Sequence, residues 1–251
     1  MIIPEKTWEK YIDSLRKVND AASNKVLKYL ETHNVENDMK AFIDYCYAIS
    51  NKYGEGAAAL ACDMYDAAAL ASKAKVKAAL PAETATYGEV AKSVYGTMNN
   101  SGNPDMVANA VARLVKRTGV DTTMKNAIRD RAEWAWIPHG DTCAFCIMLA
   151  SQGWQPASKA ALKGGHAEHI HANCDCTYAI RFDNKSKVTG YNPSEYLAEY
   201  KGAEGNTPEE KLNSMRRVNY AKNREKILEQ KASAYEKRKE LEGSKAEEQN
   251  V

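Results

Sequence analysis

The chain has 251 residues, 44% hydrophobic, 27% charged and 8% aromatic, enough apolar material for one good-sized domain or two small ones and too much for a disordered or fibrous chain. No apolar run approaches the roughly 20 residues of a membrane-spanning helix, and Met1-Ile2-Ile3-Pro4-Glu5-Lys6 lacks the apolar core of a signal peptide, so synthesis in a cytosol is expected. Thirty-five Lys and Arg against 33 Asp and Glu leave +2, too balanced for total charge to argue nucleic-acid binding; charge has to be read locally.

From Trp8 to Leu30, the residues Trp8, Tyr11, Ile12, Leu15, Val18, Ala22, Val26 and Tyr29 recur at steps of three and four, the spacing of one buried helical stripe. Residues 33–37 read as a turn, and a second helical stretch runs from Met39 to Ala74 with Phe42, Tyr45, Cys46 and Ile49 followed by an alanine-rich run. Alanine favours helix, and its small side chain lets a neighbouring helix approach. Gly54 and Gly56 are expected to interrupt or bend this helix, so two antiparallel helices, the second kinked, are predicted, with Pro81 closing the region. Asn103-Pro104 reads as an N-cap and first-turn proline, and Met106, Val107, Ala110, Val111 and Leu114 supply an apolar face. Gly119 is expected to end that helix, and Asp121 to cap another through Met124, Ala127 and Ile128 to about Trp134. Arg113, Lys116, Arg117, Lys125, Arg129 and Arg131 outnumber Asp121 and Asp130 there, a net of +4, which reads as two solvated helix faces.

Beyond Trp136-Ile137-Pro138 the composition turns to Gly, Pro, Cys and His, and residues 175–182 alternate with β-tolerant Thr177, Tyr178 and Ile180, so a small mixed module with two or three short strands is predicted. Thr207-Pro208-Glu209-Glu210 supplies an N-cap, a first-turn proline and two carboxylates for the positive end of a helix. Between Lys211 and Lys239 that long terminal helix carries ten Lys and Arg against Glu225, Glu229 and Glu236, a net of +7, with a thin stripe of Leu212, Met215, Val218, Ile227, Leu228 and Tyr235. Such a helix suits a surface, a partner or nucleic acid better than a core. The predicted fold class is mainly α with a small mixed α/β Cys/His module resembling a zinc knuckle. The predicted divisions are an antiparallel helical region (1–81), a basic helical region (82–135), the Cys/His module (136–200) and the charged terminal helix (205–251).

Cys46 and Cys62 stand alone in helical sequence and read as small core residues, whereas Cys143, Cys146, Cys174 and Cys176 cluster. In a reducing cytosol such a cluster argues for metal more than for disulfides. Cys143-Ala144-Phe145-Cys146 places two thiolates one turn apart, and His171-Ala172-Asn173-Cys174-Asp175-Cys176 offers a second set; zinc takes four N or S ligands at about 2.0 to 2.3 Å. Five candidates, Cys143, Cys146, His171, Cys174 and Cys176, compete for four places. Cys174 and Cys176 would sit about 6.6 Å apart along a strand, which favours His171 with Cys174 as the second pair. A site closed by protein ligands contributes folding energy and no chemistry. Two disulfides, or thiols that only pack, stand as the other readings.

His166-Ala167-Glu168 beside a CxxC invites a zinc-deaminase reading, but that signature runs HxE and then PCxxC, whereas here the CxxC comes first and Thr142 precedes it. His166 and His169 read as exposed loop residues, and no HExxH, GxSxG or Walker pattern occurs, so no catalytic residues are assigned and no enzyme is expected. Two alternatives are kept: a metal-dependent nuclease using His166, His169 or His171 with Glu168 or Asp175, and a nucleic-acid-binding zinc module. The latter would need base-stacking groups, and Trp134, Trp136 and Trp154 are expected to pack the module instead.

The run Pro138-His139-Gly140-Asp141-Thr142-Cys143-Ala144-Phe145-Cys146-Ile147-Met148-Leu149-Ala150-Ser151-Gln152-Gly153-Trp154, then His171-Ala172-Asn173-Cys174-Asp175-Cys176 and Gly190-Tyr191-Asn192-Pro193-Ser194-Glu195-Tyr196, resembles the tailed-phage minor head proteins of the Mu F-like head morphogenesis family over about residues 135 to 200. The resemblance implies a low-copy minor capsid protein inside the head, bound to the portal protein at the portal vertex, recruited during assembly in the bacterial cytoplasm and able to leave with the DNA. It also implies metal-ligand roles for Cys143, Cys146, His171, Cys174 and Cys176, with structural zinc as the cofactor. The basic helix from Lys211 to Lys239 is consistent with double-stranded DNA as a partner, through a salt-sensitive, sequence-independent attraction. No membrane partner is expected.

Overall fold

The structure, a computed structural model, describes residues 2–3, 5–35, 37–101, 105–140, 142–160, 175–226, 228–229, 232–233 and 235–236. It is mainly helical with a small three-stranded sheet, and among the described residues no helix is long and apolar enough to cross a membrane.

The N-terminal stripe forms α1 (Glu5–Thr32), burying Trp8, Tyr11, Ile12, Ala22, Val26 and Leu30. A short turn leads to α2 (Met39–Ala71), where the Asp38 carboxylate caps the helix by accepting the Ala41 N–H at 3.0 Å. α2 runs 33 residues through Gly54 and Gly56 without interruption, which corrects the expected break. It ends with Ser72 as C-cap and Lys73 at φ 56, the Ala74 N–H turning back to the Ala69 carbonyl at 2.9 Å.

Two further helices complete the bundle, and the residue pattern announces only the second of them. α3 (Tyr87–Ser101) is started by a reciprocal cap in which the Thr86 N–H donates to Glu89 Oε2 at 2.8 Å and the Glu89 N–H donates to Thr86 Oγ1 at 3.3 Å. α4 (Asp105–Asp130) is one continuous helix, so Gly119 neither ends it nor leaves Asp121 as a cap. The expected start at Asn103-Pro104 lies outside the described residues. The glycines serve approach, not termination: a Cβ at Gly119 would lie 3.2 Å from the Ala57 carbonyl oxygen, and one at Gly54 would lie 3.1 Å from Thr84 Cγ2 and 3.2 Å from Thr118 Oγ1. Tyr65 of α2 donates its hydroxyl to Asp130 of α4 at 2.8 Å. The pairings of 54 with 118, 57 with 119 and 65 with 130 show that α2 and α4 run parallel. Ala22, Val26, Phe42, Cys46, Val90, Val94, Val107, Val111 and Val115 pack into one core, so helices from both residues 1–81 and residues 82–135 share it.

Residues 72–86 form a strap folded back along α4, and side chains of the helices replace the strand partner it lacks. Asn126 donates Nδ2 to the Leu80 carbonyl at 2.8 Å and accepts the Leu80 N–H at 3.0 Å. The Ala82 N–H reaches Thr122 Oγ1 at 2.9 Å, the Ala79 N–H reaches Asp66 at 2.8 Å, and Arg129 donates to the carbonyls of Lys77 and Ala78 at 2.8 and 3.1 Å. Backbone polar groups that would otherwise be orphaned are satisfied in this way.

α4 ends at Asp130, before the expected Trp134. Arg131 takes φ 54 and the Ala132 N–H returns to the Ala127 carbonyl at 2.9 Å, which turns the chain into β2 (Glu133–Ile137). This strand is central in an antiparallel sheet ordered β3 (Gln155–Pro156), β2, β4 (Thr177–Arg181), with Trp134 opposite Ile180 and Trp136 opposite Tyr178. β1 (Ile2–Ile3) pairs in parallel with β5 (Lys187–Val188) and ties the start of the chain to the module. The remaining helices are α5 (Ala144–Ala150), α6 (Pro193–Gly202), capped by Asn192, and α7 (Pro208–Lys222), started by the expected Thr207/Glu210 capping box. α7 is shorter than the expected 211–239 helix: Asn223 caps it, and helical residues 224–226, 228–229, 232–233 and 235–236 follow, while Ile227 and residues 237–239 lie outside the described residues.

Lys116 is 5% exposed on α4, and its Nζ has no hydrogen-bond partner among the described residues. Desolvating an amine without a partner costs about 1–3 kcal/mol by mutational standards, so Lys116→Met, which keeps the stem, is expected to stabilise the bundle by about that amount. Urea denaturation measures it; a destabilised variant would show that the amine has found a partner.

Candidate functional site

The cysteine module is built where α5 meets the sheet. Cys143 is the N-cap of α5 with extended backbone (φ −78, ψ 161), and its carbonyl accepts the Ile147 N–H at 3.0 Å. The CxxC spacing then places Cys146 on the inward face, 2% exposed. Cys176 immediately precedes β4, is fully buried, and directs its Sγ to the His139 carbonyl oxygen at 4.0 Å. Cys146 and Cys176 belong to one apolar cluster with Trp134, Trp136, Leu149 and Tyr178, and Cys143 packs against its edge. The Tyr178 ring stands edge-on to both tryptophans, at 4.9 Å from Trp134 and 5.0 Å from Trp136. Burial pushes the Tyr178 hydroxyl far above its ordinary range. Trp154 packs too, stacking on Arg181 at 4.6 Å from the guanidinium carbon.

The module is braced on both sides. Arg181 is ion-paired with Glu133 at 2.6 Å across the β2–β4 register, Tyr191 donates its hydroxyl to the Ala150 carbonyl at the end of α5 at 2.7 Å, and Asp175 lies 3.9 Å from Arg16 of α1. These contacts tie the end of α5 to the segment after β5, the far end of β4 to β2, and the approach to β4 to α1.

Three of the five predicted ligands, Cys143, Cys146 and Cys176, are therefore brought to one small core from two distant stretches of chain. His171 and Cys174 lie outside the described residues, as do His166, Glu168 and His169 of the nuclease alternative. Among the described residues, no three His, Cys, Asp or Glu side chains are grouped closely enough to hold a metal ion. The described thiols alone therefore do not make a metal centre. Their chemistry suits zinc, and a complete tetrahedral set would draw on residues 171–174, directly before Asp175. Cys46 is buried in the bundle, where desolvation pushes its thiol up to about 12. Cys62 is half-buried, more open than the expected core position.

A second feature lies beside the module. α7 is anchored by Leu212, Ser214 and Met215, the last packing on Ala144 and Ile147 of α5. Beyond Met215 it leaves the body, with Arg216, Arg217, Val218, Tyr220, Lys222, Arg224 and Lys226 exposed. An open cleft of about 830 Å³ separates it from Thr142, Ala144 and Glu199.

Compared with known proteins, residues 2–203 match the model of the family described as VG15 protein. The match takes in the bundle and the cysteine module and stops before α7. No curated protein and no solved structure matches the chain.

Proposed function

Because the chain belongs to the VG15 protein family, a family of viral gene products, we propose that it is a phage minor head protein that acts inside the capsid at the portal vertex by binding, without catalysis. The observation that carries this reading is one family match running through both the helical bundle and the Cys/His module. The braced arrangement of Cys143, Cys146 and Cys176 supports a rigid docking knob. Cys143 and Cys146, with His171 and Cys174 as the second pair, are the proposed holders of a zinc ion, which when bound would supply a cross-link and folding energy to a module too small to hold its own core. The exposed cations of α7 and the residues after it are the proposed contact with packaged DNA, with which the protein would leave the head.

Co-expression with capsid and portal proteins tests the reading. The chain is expected in particles assembled around the portal and absent from shells formed without it. Equal amounts in both kinds of shell, or none in either, would refute it.

A further inference from the structure

Among the described residues, only Lys73 (φ 56) and Arg131 (φ 54) hold the left-handed backbone conformation without being glycine. Each sits just past the end of a helix, α2 and α4 respectively, where glycine is the residue that adopts this geometry freely. At both positions a long cation stands instead. Since α2 and α4 run parallel, both cations lie at the same end of the bundle.

The strap adds to that end. Lys73, Lys75 and Lys77 are exposed while Ser72, Ala74 and Val76 between them turn inward, Val76 packing against the tryptophan cluster. The alternating exposure sets Lys75 and Lys77 on one side of the strap, about 6.6 Å apart for extended chain, a separation that neighbouring phosphates of one DNA strand can meet. The strap is held in place by Arg129 and Asn126, so its cations are presented on a fixed backbone. Most nearby carboxylates have other partners, Asp66 the Ala79 N–H and Glu133 Arg181, while Asp130 is bound by Arg129 and Tyr65 and also faces Lys77 electrostatically. Among the described residues, none of the four cations forms an ion pair.

We propose that Lys73, Lys75, Lys77 and Arg131 form a second contact surface for the phosphate backbone of duplex DNA, separate from the C-terminal helix. The proposal rests on the reading that this protein meets packaged DNA. It places that contact on the rigid bundle, so the body of the protein, and not only its terminal helix, is held against the duplex.

The test is a salt titration of full-length protein binding to a duplex of arbitrary sequence. The variant K73Q/K75Q/K77Q/R131Q is expected to lower the slope of log K against log salt by about 0.9 for each phosphate no longer neutralised, up to roughly 3.6. The charge-preserving K73R/K75R/K77R/R131K is expected to keep the parent slope. An unchanged slope in the glutamine variant, beside a lowered slope for R216Q/R217Q/K222Q on α7, would overturn this surface and leave the DNA reading intact. A parent protein with no salt-sensitive DNA binding would overturn both.

Discussion

Gly119→Val is expected to cost the bundle about 3 kcal/mol or more, enough to unfold a marginal domain, read as a lower urea midpoint. The first added carbon would already meet the Ala57 carbonyl oxygen at 3.2 Å, and the branched methyls would press further into a neighbour that is helix backbone and cannot rotate away. α2 and α4 would have to separate, opening the interface on which the shared core is built. Gly56→Ala is the matched control: its nearest new neighbour would be Val18 Cγ1 at 4.0 Å, so helix propensity dominates and a gain of about 0.5–1 kcal/mol is expected. If valine at 119 is tolerated, close approach of these two helices does not organise the fold.

Cys146→Ala is expected to destabilise the protein by several kcal/mol and to abolish zinc retention, whereas Cys46→Ala should cost about 1 kcal/mol. Both thiols are buried, so a packing role alone predicts similar, small costs. The difference isolates metal ligation, whose binding energy is folding energy. Equal costs for the two substitutions, measured by denaturant unfolding, would reduce Cys146 to a packing residue.

Much of this architecture is legible in the residue pattern, and the misreadings have physical causes. The stripe from Trp8 to Leu30 announces α1 because its burial is one-sided, and Thr207 with Glu210 announces α7 because a capping box is local. Gly119 misleads because local rules treat glycine as a helix breaker, while its neighbour here, Ala57, is 62 positions away in sequence. α3 escapes the pattern although Thr86 and Glu89 carry a capping box, because few large apolar residues follow; Val90 and Val94 are buried in it. Trp134 reads as the end of a helix because four of the five residues of β2 are buried, which erases the alternation that marks a strand with one wet face. At the site, the CxxC spacing is legible. The convergence of Cys146 with Cys176 depends on β2 pairing with β4, and the presentation of Lys75 and Lys77 depends on Asn126 and Arg129 gripping the strap from far along the chain.

The most direct test of the metal-stapled module is zinc content combined with X-ray absorption on the purified full-length chain. The expected result is about one zinc per chain in a sulfur-rich shell with Zn–S near 2.3 Å, released together with thermal stability on chelation. A metal-free chain whose melting temperature is unmoved by chelator would contradict it.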